Sequence, residues 1–172
     1  LSLFGGNLVL NASDESISNI NVPAFTYAGE PYTRIGVVSN GYIVVGGGTG
    51  ADVNFVNSDL PDAARPNNVL APFWTDLNPT FGGRILVNVL GDGTNSWIVV
   101  EWEGVANYSN KAPNTFQVWI GINGTEDISF VYGEQITAGD GGFLTVGAEN
   151  KYGNRGATVY VDGVGTAPAP SY

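Results

Sequence analysis

The alternation in "TFQVWIGI", residues 115–122, constrains this chain more than any other feature. Phe116, Val118, Ile120 and Ile122 fall on one side, and Gln117, Trp119 and Gly121 on the other. That period belongs to a half-buried β-strand. "DISFVYG" repeats it with Ile128, Phe130 and Tyr132, and between the two runs Asn123-Gly124 tolerates the positive φ of a tight turn. Residues 114–133 therefore form a hairpin.

The same grammar recurs along the chain. Asn40-Gly41 separates residues 35–38 from 42–45, and Asp92-Gly93 separates "RILVNVL" from "SWIVVEWEGV". Further strands are expected at residues 8–10, 24–27, 69–73, 144–148 and 158–161. Helical spacing is almost absent, while 25 glycines and nine prolines punctuate short apolar runs. About ten short strands with turn-rich connections predict an all-β antiparallel sandwich, jelly-roll-like, with a barrel as the alternative closure. Residues 46–68 are too long and polar for a hairpin loop, and one helical turn is expected within 61–65. A connection of that length is functional or pinned over the core.

Residues 1–165 make one module, and the Ala-Pro pattern of 166–172 suits an extended linker. Because the chain starts at Leu1 without a basic, apolar leader, a mature or excised fragment is expected. The formal net charge of −10 opposes nucleic acid and anionic membranes, both held mainly by Lys and Arg. No apolar run approaches the ~18 residues of a membrane span. Charged residues are only 13% of the chain, and Asn, Ser, Thr and Gly keep the surface wet, as in many secreted β proteins. The sequons at Asn11, Asn107 and Asn123 matter only in a eukaryotic secretory route.

Histidine and cysteine are both missing, which removes Ser-His-Asp triads, Cys-His catalysis and the usual zinc sites. Lys111 and Lys151 lie in polar loops, away from a buried proton-accepting role. Glu101 and Glu103 share one face of a strand, as a glycosidase pair would. Alternation explains them more simply, with Ile98, Val100 and Trp102 inward and both glutamates in water. The chain is expected not to be an enzyme.

Oxygen ligands for a structural calcium ion could converge from turns, with Asp76, Asn78, Asp92 and Asp140 as the candidates. Asp and Asn are also favoured in turns for purely local reasons. Trp97, Trp119, Tyr108 and Tyr152 are candidates for an aromatic platform against a sugar ring or a protein, though such aromatics more often fill a sandwich core. "NNVLAPFWTDLNPTFGG" sets Phe73 and Trp74 beside Asp76. Pro72 predicts an edge or a bend, and the two rings should point to opposite sides of the sheet. Asp76 and Asn78 then begin a corner in which Asp76 caps backbone N–H groups. A binding role for Trp74, Asp76 and Asn78 is the competing reading.

Five segments in order, "VVSNGYIVVGGG", "LPDAARPNNVLAPFWTDLNP", "WIVVEWEGVANY", "NTFQVWIGINGTEDISFVYG" and "LTVGAENKYGNRG", carry a resemblance. The chain resembles the β-sandwich domain C-terminal to the catalytic domain of many secreted bacterial subtilisin-like proteases. It is also similar to the nidogen-type extracellular domain of animal adhesion proteins, although it shows no disulfide-rich context. The resemblance implies a noncatalytic extracellular accessory module that engages a protein or a glycan. No triad residue carries over. A second expectation is a cell-surface adhesin or filament subunit that self-associates through edge strands, with "LSLFGGNLVL" as a donated strand.

Overall fold

The computed structural model describes residues 8–172. Among them are twelve strands: β1 (Leu8–Val9), β2 (Ile17–Tyr27), β3 (Glu30–Val38), β4 (Tyr42–Val45), β5 (Val69–Trp74), β6 (Arg84–Gly91), β7 (Ser96–Ala106), β8 (Pro113–Ile122), β9 (Ile128–Tyr132), β10 (Thr145–Glu149), β11 (Gly156–Val161) and β12 (Val164–Gly165). They pair antiparallel in two sheets, ordered β1-β6-β7-β8-β9 and β12-β11-β10-β5-β4-β3-β2. The fold is a β-sandwich.

Turn chemistry sets the hairpins. Asn123 and Gly124 both adopt positive φ at the β8–β9 connection. Gly41 has φ +80° between β3 and β4, and a Cβ there would collide with the Phe73 carbonyl oxygen. Only glycine meets both demands. Two features escape sequence pattern. β2 begins at Ile17 rather than near residue 24, because Asn19 and Asn21, residue types that strands disfavour, hide its alternation. The two-residue β12 is too short to show a period.

The inward sides of both sheets form one core that includes Phe25, Ile35, Phe73, Ile98, Trp102, Phe116, Val118 and Leu144. Trp102 stacks on Phe116 with centroids 5.0 Å apart. Its indole Nε1–H donates to the Val38 carbonyl at 3.1 Å, and the Tyr132 hydroxyl donates to the Pro72 carbonyl at 2.8 Å. Both bonds cross between the sheets and satisfy polar atoms that burial would otherwise penalise.

A second apolar cluster lies on the opposite face of β4 and β5, where Tyr42, Val44, Val69, Ala71 and Trp74 pack with Leu60. Loop 46–68 is therefore pinned over this sheet, which explains why "YIVV" and "VLAPFW" are apolar on both faces. The loop has no helical turn at 61–65. A 3-10 turn forms instead at Gly50–Asp52, where Thr49 and Asp52 make a reciprocal capping box. Another forms at Pro79–Phe81.

Pro72 does not mark an edge. β5 is interior, between β10 and β4, and the register slips between Thr145 and Gly147 on β10 opposite Pro72. The bulge leaves the proline's missing N–H harmless. Leu8 and Val9 pair with Val87 and Leu86 of the same chain, and the rest of the expected donor segment lies outside the described residues. Near the carboxyl end, the Ser171 N–H donates to the Tyr132 carbonyl at 2.8 Å, which holds the tail against β9.

Candidate functional site

Trp74 and Asp76 do different work two residues apart. The Trp74 ring is buried beneath loop 46–68, 4.7 Å from the Tyr42 ring. Its Nε1–H donates to the Asn54 carbonyl at 2.9 Å, and the Asn54 N–H donates to the Tyr42 hydroxyl at 2.8 Å. Asn54 Oδ1 then accepts the Val56 N–H at 3.0 Å. This chain of bonds fixes the loop where it presents Phe55 and Val56, which stay 51% and 55% exposed.

Thr75 performs the matching service on the other side. Its hydroxyl donates to the Phe143 carbonyl at 2.6 Å and accepts the Asp140 N–H at 2.8 Å. The turn that carries Phe143, itself 62% exposed, is thereby held against the end of β5. Between these two supports lies a cavity of about 340 Å³ lined by Phe55, Val56, Asn57, Asp76, Asp140 and Phe143.

Asp76 does not cap the corner, contrary to expectation. Its neighbour Leu77 gives its N–H to Asn40 Oδ1 at 3.0 Å, so Asn40 takes the role. Asp76 Oδ1 is buried without a hydrogen-bond partner, as is Asp14 Oδ1. Carboxylate oxygens of Asp14, Glu15 and Asp76 lie within 4.8 Å of one another. Burial, then the charges of Glu15, Asp140 and Asp14, push the Asp76 carboxyl up to about 6, while Lys111 opposes the rise. The site is an electronegative corner open to solvent, and its chemistry favours cations.

The four expected calcium ligands divide between three places. Asp76 and Asp140 meet at the cavity, with Asp140 Oδ1 accepting from the Ser109 N–H at 2.9 Å. Asn78 does cap, its Oδ1 accepting from the Thr80 N–H at 2.9 Å. Asp92 sits in the β6–β7 turn, where its Oδ1 accepts from the N–H groups of Thr94 and Asn95. These bonds hold its carboxyl below the usual range. The four proposed calcium ligands therefore do not form one set, although calcium-ligand distances of ~2.3–2.6 Å would let one ion span Asp14, Glu15 and Asp76.

The aromatic platform also divides. Trp97 and Trp119 meet edge to face, 5.8 Å apart, on the outer side of the five-stranded sheet. Tyr108 packs on Phe81 at 5.7 Å, and its N–H supports the Asp76 carbonyl at 3.0 Å. Tyr152 stands in the turn after β10, beside Lys151.

The two glutamates do not both face water. Glu101 is fully buried, opposite Gln117 in register, whose Nε2–H donates to Glu101 Oε1 at 2.8 Å. Gln117 Oε1 accepts the Trp119 indole at 2.8 Å, so a polar ladder replaces solvent on that face. Glu103 is half-buried and paired with Arg84. Both line a second cavity, of about 380 Å³, with Glu134 and Tyr172. Among the sequons, Asn107 is fully buried, bonded to Asn110, Thr137 and Asn114, and a glycan there would displace the fold.

Sequence reasoning missed Asp14, Glu15, Asn40, Phe55, Val56 and Phe143. Phe55-Val56 inside a polar loop was the one visible signal. The rest are assembled by strand pairing, from positions some 25 to 65 residues apart.

An antiparallel sandwich with an acidic corner pocket is the class of module that fold and site define. A family model described as "NIDO related" matches residues 3–172, and the chain belongs to that family. No curated protein and no solved structure matches the chain. Among the described residues, no helix is long and apolar enough to cross a membrane.

Proposed function

We propose that the chain is a noncatalytic extracellular binding module, carried by a secreted bacterial protein as an appendage of a subtilisin-like protease. The observation that carries the reading is the corner pocket. Three large apolar side chains are held exposed by hydrogen bonds from β5 and its flanking loops, beside Asp76, one of whose carboxylate oxygens the fold leaves without a partner. That arrangement adds little to stability and suits recognition. Membership in the NIDO-related family supports an extracellular setting, and the missing histidine denies this chain a triad.

The test compares the full-length secreted protein with and without residues 1–172, sedimented with insoluble collagen or chitin particles. The module should raise the particle-bound fraction several-fold and leave turnover of a small soluble peptide unchanged. Equal retention of both forms overturns the reading. So does product release by the module alone.

A further inference from the structure

The corner pocket joins apolar and acidic side chains in one small cavity. Its walls are Phe55, Val56 and Phe143, and its floor carries Asp76 and Asp140. We propose that it is a socket for a lysine or arginine side chain of a partner polypeptide, with the cationic head on the carboxylates and the methylene stem along the three apolar residues. This rests on the binding-module reading and names the chemistry of its partner.

Charge selects the occupant first. Asp76 and Asp140 line the cavity, and Asp14 and Glu15 stand behind Asp76. The opposing cation, Lys111, already spends its ammonium on the Tyr108 carbonyl and on the Phe81 ring, 3.2 Å from the centroid. Glu15 is partly compensated by the Asn40 amide at 3.1 Å, and Asp140 by Ser109. Asp76 Oδ1 has no such donor. An anion would be repelled, and a neutral apolar ligand would dry the carboxylates without pairing them.

The walls select between cations. A bare divalent ion needs oxygens and leaves Phe55, Val56 and Phe143 without a role. Lysine and arginine carry an apolar stem below a charged head, and so use walls and floor together. The volume of about 340 Å³ is at the small end of the ~300–1,000 Å³ typical of ligand pockets, which suits one side chain better than a folded epitope. The Trp74–Asn54 and Thr75–Phe143 bonds hold both walls before any partner arrives, which lowers the ordering cost of binding.

The experiment titrates the isolated chain, labelled for amide NMR, with n-butylammonium and n-propylguanidinium as the side-chain analogues. One or both should shift Phe55, Val56, Asp76, Asp140 and Phe143, with a Kd of about 10 mM. The neutral n-butanol should bind about tenfold more weakly, and Asp76→Asn should cost about tenfold. Phe143→Ala, at an exposed position that folding does not need, should weaken binding several-fold. Equal shifts with n-butanol, or an unchanged Kd in Asp76→Asn, overturn the socket. Calcium chloride saturating the same amides, with an affinity indifferent to Phe143→Ala, replaces it with a metal site. If neither analogue binds while the module still retains the full-length protein on particles, the socket falls and the binding-module reading stands.

Discussion

Asp52, inside the loop that covers the seven-stranded sheet, and Asp76, just past β5, are treated in opposite ways. Burial would raise the Asp52 carboxyl, but the Thr49 N–H and the Arg65 guanidinium overcome it and hold the group below its ordinary value. Arg65 grips both oxygens, Nε to Oδ1 at 2.8 Å and Nη2 to Oδ2 at 2.9 Å. For Asp76, burial and then the charges of Glu15, Asp140 and Asp14 push the carboxyl up, and no guanidinium offsets them; one of its oxygens is unmatched. Burial pushes both acids up, and the donors and cation beside each decide whether that push prevails. Asp52 is a fastener of the loop, whereas Asp76 keeps one carboxylate oxygen that nothing in the fold pairs.

The largest effect that sharpens this contrast is expected at the fastener. Asp52→Ala leaves the Thr49 N–H unmet and frees Arg65, and should cost about 2 kcal/mol in denaturant unfolding. Protection of the 46–68 amides from exchange should fall with it. A neutral result would reduce Asp52 to an ordinary surface acid.

The opposite sign is expected at the corner. Asp76→Asn removes a charge that its neighbours repel, and should stabilise the chain by about 1 kcal/mol once solvent screening is allowed for. Destabilisation would mean that Asp76 has a partner inside the fold.

The smallest and most gradual effect is the response to pH. Asp76 rises to about 6 in the folded chain from an ordinary 3.8. Glu149, buried beneath the same loop with the Asp62 N–H on Oε2, rises to about 7 from 4.5. A raised folded value means that the folded state holds its proton more tightly. The stability from these groups is complete below their ordinary values and is lost as pH climbs through about 6 and about 7. Tm should therefore increase as pH falls from 8 toward 5, and Asp76→Asn should remove part of that increase. A flat profile would contradict both shifts.

Much of the fold was legible because its signals are local. Asn40-Gly41, Asp92-Gly93 and Asn123-Gly124 each announce a turn, and the β8 alternation survives intact, with Phe116, Val118 and Ile120 in the core. Glu101 shows the limit. Alternation correctly put it opposite the core face, but the outer face of this sheet is itself covered at Leu86, Val99 and Gln117, so facing outward did not mean facing water. The same limit explains Asp76. Its local sequence resembles a capping aspartate, and Asn40, reached only through β3–β4 folding against β5, had already filled that position.

The sequence by itself determined the strands, most of their turns, the all-β class and the absence of histidine or cysteine chemistry, because each depends on neighbours a few residues away. Tertiary structure alone decided which acids are paired and which are left over. It brought Asp14 and Glu15 to Asp76, Arg65 to Asp52, and Phe143 into one cavity with Phe55. Those encounters depend on strand order and on how a long loop folds back. The energy of a buried charge is set by whatever surrounds it in space, and the order of residues along the chain does not record that.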